Sequence, residues 1–189
     1  MKIVGGQWRG RGLAQPKTRA VRPLSEKVRA AIFDVLGPVD GLTVLDAYAG
    51  SGAAGFEALS RGAMLVEAIE ANRTVARTIQ ANAQTLGADW GFVLYQMTVE
   101  TWLASPRQQP AVGRYDVIIA DPPYQQLDAV TLSRLGLFLL PGGRLVLSHS
   151  SKRAAPMIES GELTRTKRYG DSALSIYQKI EHHADVVEW

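Results

Sequence analysis

Two short stretches carry residue types that can do chemistry. The first is Asp121-Pro122-Pro123-Tyr124. Two consecutive prolines fix φ and remove two amide donors, so the turn they form is rigid and its carbonyls can only accept. An exocyclic aromatic amine presents N–H donors in the plane of its ring, with its lone pair drawn into that ring. The Asp121 carboxylate and the Pro122 carbonyl can accept both hydrogens, hold the nitrogen and aim its lone pair at an electrophilic methyl, with Tyr124 stacked under the base. A base reaches such a pocket only when it is flipped from its stack or already unpaired.

The second stretch runs from Val44 to Gly55. Gly50, Gly52 and Gly55 satisfy the spacing G-x-G-x-x-G, in which a helix amino terminus receives a pyrophosphate. Asp46, just before the loop, argues for a different ligand, because a fixed carboxylate repels a pyrophosphate and attracts a cation. S-adenosylmethionine carries an ammonium and a sulfonium and no phosphate, and suits that carboxylate. Glu70 follows the glycine loop by roughly the 20 residues at which an acid takes ribose hydroxyls, which any nucleoside cofactor requires.

Positioning these groups calls for a parallel α/β sheet with its ligand crevice at the carboxyl ends of the strands. Thr43 to Asp46 reads as the first central strand, Ala53 to Leu59 as the helix opened by the glycine loop, and Met64 to Ile69 as the second strand. Asn72 to Leu86 is a crossover helix and Phe92 to Gln96 a third strand, followed by Met97 and Thr98 where an adenine ring would lie. Tyr115 to Ala120 is the fourth strand and delivers Asp121. Gln126 to Leu140 is helical in pattern, Pro141-Gly142-Gly143 a turn, and Arg144 to Ser148 the fifth strand. Leu163 to Tyr169 and Ala173 to Ile180 alternate as an antiparallel hairpin across Gly170-Asp171. Ahead of the sheet, Ser25 caps a helix whose apolar stripe is Val28, Ala31, Ile32, Val35 and Leu36.

Composition bounds the rest. The chain has 189 residues, 46% of them hydrophobic, which suits one two-sided α/β core. With no cysteine and three histidines, neither a disulfide framework nor a zinc-type ligand set is expected, and no apolar run approaches a membrane span. Residues 1–30 hold Lys2, Arg9, Arg11, Lys17, Arg19, Arg22, Lys27 and Arg29 against Glu26 alone. A basic segment on a mildly acidic remainder is the charge pattern of a protein with a polyanionic partner. Short candidate strands at Lys2 to Gly5 and Gly10 to Ala14 make that segment a hairpin or extended arm with Trp8 near its tip. There Trp8 either stacks on an unpaired base or packs the arm onto the domain.

Together these residues resemble the class I S-adenosylmethionine-dependent methyltransferases that modify exocyclic amines. More closely the chain is similar to the RsmD family of bacterial 16S ribosomal RNA methyltransferases. The likeness spans Ile3 to Arg11, Arg22-Pro23 with Ser25 to Arg29, Leu45 to Ala63, Asp121 to Tyr124, and Lys167 to Asp171. It implies a Rossmann-like α/β fold with a seven-stranded, mostly parallel sheet and an antiparallel carboxyl-terminal hairpin, preceded by the small basic arm. It also implies methyl transfer to a guanine 2-amino group, cofactor contacts at Asp46, Gly50, Gly52 and Glu70, and target contacts from Asp121, Pro122, Pro123 and Tyr124. Tyr48, Ser51, Ala71, Met97 and Thr98 complete the expected cofactor set, with Thr98 standing where the family usually has an aspartate.

The expected RNA contacts are Trp8, Arg9, Arg11, Lys17, Arg19, Arg22, Arg29, Lys167 and Arg168. The expected organisation is an arm at 1–24, a methyltransferase domain at 25–182 and a tail at 183–189. The partner is the small ribosomal subunit, with no metal and no membrane, for a cytoplasmic monomer. Three other readings remain open from the residues: a DNA adenine or cytosine amine methyltransferase, a nicotinamide-dependent oxidoreductase, and a non-catalytic RNA-binding module.

Overall fold

The computed structural model describes residues 1–16, 24–105, 113–123, 125 and 127–180. The elements in chain order are α1 (Glu26–Leu36), β1 (Thr43–Asp46), α2 (Ala53–Ser60), β2 (Leu65–Ile69), α3 (Arg73–Leu86) and β3 (Phe92–Tyr95). There follow α4 (Val99–Ala104), β4 (Tyr115–Ala120), α5 (Ala129–Gly136), β5 (Leu139–Ser150), β6 (Gly161–Tyr169) and β7 (Ser172–Lys179). The strands form one seven-stranded sheet in the order β3-β2-β1-β4-β5-β7-β6. The first five are parallel; β7 enters antiparallel between β5 and β6, so β6 again runs parallel to β5. This is the sheet the family resemblance implies.

Both faces of the central strands are buried, which is why β1 and β4 read as nearly continuous apolar runs. One face packs on α1, α2 and α3 through Ile32, Phe56, Leu59 and Ile79. The other packs on α4 and α5 through Trp102, Leu132 and Leu135. The strand order reverses between β1 and β4, and the crevice opens at their carboxyl ends.

Two expected boundaries move. The helix expected from Gln126 to Leu140 is shorter: Asp128 caps α5 by accepting from the Thr131 amide at 2.9 Å, and the helix ends at Gly136. Leu139 already pairs with Tyr115 as the start of β5, which passes through Pro141-Gly142-Gly143 with a shift of register. Burial of Phe138 and Leu139 against Trp102 and Tyr115 overrides the helical pattern. The short α4 was not expected, because six residues are too few to show a helical period.

The first sixteen residues are a tight loop with one bridge, Lys2 to Gly12, rather than two strands. They are part of the core: Ile3, Trp8 and Leu13 are buried with α1, α2 and α3. Gln7 and Trp8 donate their amides to the Ser60 carbonyl and hydroxyl at 2.7 and 2.9 Å. Gly6 is required there, since a Cβ on it would fall 1.7 Å from the Ser60 carbonyl oxygen and its φ is 72°. Arg29 is fully buried, 3.4 Å from Glu57, and also donates to the Lys2 carbonyl, while Glu57 accepts from the Val4 amide at 2.9 Å. Trp8 and Arg29 are therefore corrections to the expected RNA contacts: the indole packs the arm down, and the guanidinium ties the arm to α1 and α2.

Candidate active site

Each acidic residue of interest ends a strand or immediately follows one. Asp46 closes β1, Glu70 follows β2, Met97 and Thr98 lie just past β3, and Asp121 follows β4. Since the four strands are adjacent and parallel, these residues line one edge of the sheet in the order Thr98, Glu70, Asp46, Asp121. The expected acids are thus brought together.

Asp46 is 2% exposed, and its Oδ2 accepts from the Gly55 amide at 3.0 Å. Burial lifts its carboxyl from 3.8 to about 7, against the pull of the Gly55 amide and with further lift from Asp121 and Glu70. A carboxylate held there above neutral pH, with no lysine or arginine paired to it among the described residues, is an incomplete ion pair.

Glu70 is held on both oxygens. Gly50 donates its amide to Oε2 at 3.0 Å and Asn72 to Oε1 at 2.6 Å, so the carboxylate is fixed between the two loops it joins. Burial still raises its pKa above the ordinary carboxylate value, with those amides opposing. The lone pairs that remain can accept from a vicinal diol.

The loop between β1 and α2 is shaped by its glycines. Gly52, at φ 75°, is the cap residue of α2, and a Cβ there would come within 2.8 Å of Phe56. Gly55 lies within 3.0 Å, by the same measure, of Phe92 and Val66, which brings α2 down onto the sheet. Ser51 is buried, with its hydroxyl 3.7 Å from the Met1 sulfur. Tyr48 is half-buried and its hydroxyl is pushed up to about 12, first by burial and then by Glu100 and Asp128. It therefore stays a neutral donor.

Thr98 caps α4: its Oγ1 accepts from the Thr101 amide at 3.1 Å. Aspartate and threonine both serve that cap, so the departure from the family pattern keeps the local backbone. Met97 is partly buried against the α4 and α5 side of the core, and Ala71 is exposed. Pro122 is buried and Pro123 exposed. Tyr124, Lys17, Arg19 and Arg22 lie outside the described residues, as does 181–189 and with it the tail.

The remaining expected RNA contacts are scattered. Arg9 is exposed in the Trp8 turn beside Ser60, the last residue of α2. Since α2 starts at the crevice and runs away from it, this turn sits at the opposite end of the sheet. Arg11 is also there, donating to the Thr85 carbonyl near the end of α3 at 2.6 Å. Lys167 and Arg168 are exposed on β6. Lys152, Arg153 and Arg165, absent from the expected set, join them; the pairing of β7 with both β5 and β6 brings these five cations together.

A model of the family described as conserved hypothetical protein 95 matches residues 1–178. The chain belongs to that family. Curated relatives are named ribosomal RNA small subunit methyltransferase D: that of Haemophilus influenzae is 31% identical over 94% of this chain and 93% of its own, and that of Escherichia coli is 31% identical over 95% and 90%. Among solved structures, the methyltransferase yhhF of Escherichia coli superposes with a TM-score of 0.83 at 30% identity, covering 95% of this chain and 97% of its own. A methylase of Haemophilus influenzae gives 0.75 at 28% identity, covering 95% and 98%. The family member is a methyltransferase in fold, in agreement with the resemblance read from its motifs.

Proposed function

We propose that this chain transfers a methyl group from S-adenosylmethionine to the 2-amino group of a guanine in 16S ribosomal RNA, as a monomer acting on the small ribosomal subunit in the cytoplasm. The observation that carries the reading is the file of three carboxylates, Asp46, Glu70 and Asp121, across adjacent strand ends, with the Pro122-Pro123 turn beside the last. The relatives' names support the RNA; the guanine rests on the family likeness.

The residues fit the cofactor. A buried carboxylate short of a cation matches an ammonium or sulfonium, and Glu70 is fixed to accept from ribose hydroxyls. When bound, S-adenosylmethionine supplies a methyl that needs no further activation. Asp121 and the Pro122 carbonyl then hold the target amine by its two hydrogens, Asp121 stabilises the positive charge that develops on the nitrogen as it gains the methyl, and the surplus proton leaves to Asp121 or to water. Orientation, rather than acid catalysis, supplies the remaining acceleration.

The test is transfer of labelled methyl to undermethylated small subunits, protein-free ribosomal RNA and duplex DNA, with the modified nucleoside identified after digestion. Label in 2-methylguanosine supports the reading; label in adenine or cytosine of DNA overturns it. Asp121→Asn should lower kcat by about 10²–10³-fold with cofactor affinity nearly unchanged, the range seen when one preorganised polar contact is removed. Full activity in that variant would remove Asp121 from the reacting centre.

A further inference from the structure

The crevice is acidic, and phosphates do not rest against three carboxylates. A base enters it only if its backbone is held nearby by a surface of the opposite sign. The described part of the arm does not meet that need, because its Arg9 turn lies at the far end of α2 and Arg11 at the far end of α3. An α2 of eight residues alone separates that turn from the crevice by about 12 Å.

One edge of the sheet does meet it. β6 is the outermost strand and runs parallel to β5, so its end at Tyr169 points to the same side as the carboxyl end of β4. Arg165, Lys167 and Arg168 are exposed along it. Lys167 stands opposite Leu174 and Arg168 opposite Ala173, so the cations project from both faces of the strand and make a rim. The turn after β5 reaches the same place. Ser151 donates its amide to the Asp171 carbonyl at 2.9 Å and its hydroxyl to the Gly170 carbonyl at 2.8 Å, which sets Lys152 and Arg153 beside the end of β6.

None of these five cations takes part in an ion pair among the described residues. Asp171 is the carboxylate within the two turns. β6 lies three strand spacings from β4, about 14 Å, close enough for a strand of nucleic acid to cross the rim and lay one base in the crevice. Positive charge on an edge strand also discourages edge-to-edge pairing. That role explains Arg165, Lys167 and Arg168 but not Lys152 and Arg153, which lie off the strand.

We propose that Lys152, Arg153, Arg165, Lys167 and Arg168 form the track that binds the phosphate backbone of the ribosomal RNA flanking the target nucleotide, in place of Arg9 and Arg11. The proposal rests on the ribosomal RNA reading above. Each contact releases condensed counterions, so its loss is read in the salt dependence of binding.

The experiment measures affinity for undermethylated small subunits across a salt series, with methyl transfer and S-adenosylmethionine binding followed on the same preparations. The triple variant Arg165→Gln, Lys167→Gln, Arg168→Gln should flatten the slope of log K against log salt by about 2 units. It should raise KM for the subunit at least tenfold while S-adenosylmethionine still binds as in the wild type. The pair Lys152→Gln, Arg153→Gln should flatten the slope by about 1 unit or more. Wild-type slopes in both variants overturn the track. So does a flattened slope in Arg9→Gln, Arg11→Gln instead, or self-association of the triple variant with its slope intact. If the wild-type chain methylates the subunit while rim variants bind it normally, the track alone fails. If the wild-type chain neither binds nor methylates it, the ribosomal RNA reading fails and the track with it.

Discussion

Asp46 concentrates the physics of the site in one side chain. Its carboxyl is held at about 7 against 3.8 in an unfolded chain, chiefly by burial, so the folded protein keeps a proton there that the unfolded chain releases. A raised acid pKa favours the folded state below the unfolded value, and this advantage is lost as pH rises through the folded value. Stability without cofactor should therefore fall between about pH 4 and pH 7 and level off above. Glu70 shifts in the same direction, and Asp128, lowered by its contacts with Thr131, works in the opposite one. Comparison with Asp46→Asn isolates the single group. That variant should lose most of the fall and be more stable than wild type at pH 8 by about 2–4 kcal/mol, read by thermal or urea unfolding across pH. It should also lose about 10²-fold or more in S-adenosylmethionine affinity, with wild-type affinity weakening below pH 7 as the carboxyl takes its proton. Equal pH profiles for the two proteins would mean that Asp46 is ionised without its ligand. The sequence made this residue legible because its place before the glycines decides the ligand's sign. It could not reveal that Trp8 and Arg29 are buried, since a tryptophan among arginines reads equally as an RNA platform or as a packing anchor. The choice between them is made by Glu57 and Ser60, more than 25 residues away in the chain.

At the scale of elements, strands and long helices were legible wherever a period had room to show. The carboxyl-terminal hairpin and the Ser25 cap belong to this group, and the Ser25 side chain accepts from the Val28 amide in the first turn of α1. The six-residue α4 and the early start of β5 were not legible, because their positions are set by Trp102, Tyr115 and Phe138 packing together. The glycine loop illustrates how an element can be fixed from both sides. Gly52 requires φ 75° and has Phe56 and Ile79 within 2.8 and 3.2 Å of where a Cβ would stand. Gly87, the cap residue ending α3, has a similar φ of 67° and nothing within 4 Å. Gly87→Ala should then cost about 1 kcal/mol and leave cofactor binding intact. Gly52→Ala should cost about 2–3 kcal/mol, because steric displacement of Phe56 adds to the same backbone strain, and it should weaken S-adenosylmethionine binding at least tenfold. Denaturant unfolding and cofactor titration of the pair give the comparison; equal losses in both would show that φ alone matters and that Phe56 yields freely.

For the whole molecule, the question is whether the amino-terminal arm is an appendage or a part of the fold. The sequence invites the first view, since residues 1–24 are basic, glycine-rich and end in a proline-bounded stretch. The described part of the arm supports the second. Ile3, Trp8 and Leu13 are 1%, 8% and 5% exposed and share one core with Ile32, Phe56 and Ile79. Burial of three such side chains contributes roughly 5–8 kcal/mol, comparable to the entire net stability of an ordinary domain. Deleting the arm also strips Glu57 of the Val4 amide and Arg29 of the Lys2 carbonyl, leaving a buried ion pair short of its hydrogen bonds. Since Glu57 lies in α2, the helix opened by the glycine loop, that damage is transmitted to the cofactor site. Removal of residues 1–14 is therefore expected to abolish cooperative thermal unfolding and S-adenosylmethionine binding together, rather than to yield a folded domain weakened only toward RNA. The milder Trp8→Ala should lower stability by about 3–5 kcal/mol while keeping one transition, and should leave the salt slope of RNA binding unchanged. A truncated chain that melts near the wild-type temperature and still binds cofactor would make the arm an independent appendage, and its arginines would again be candidates for the RNA.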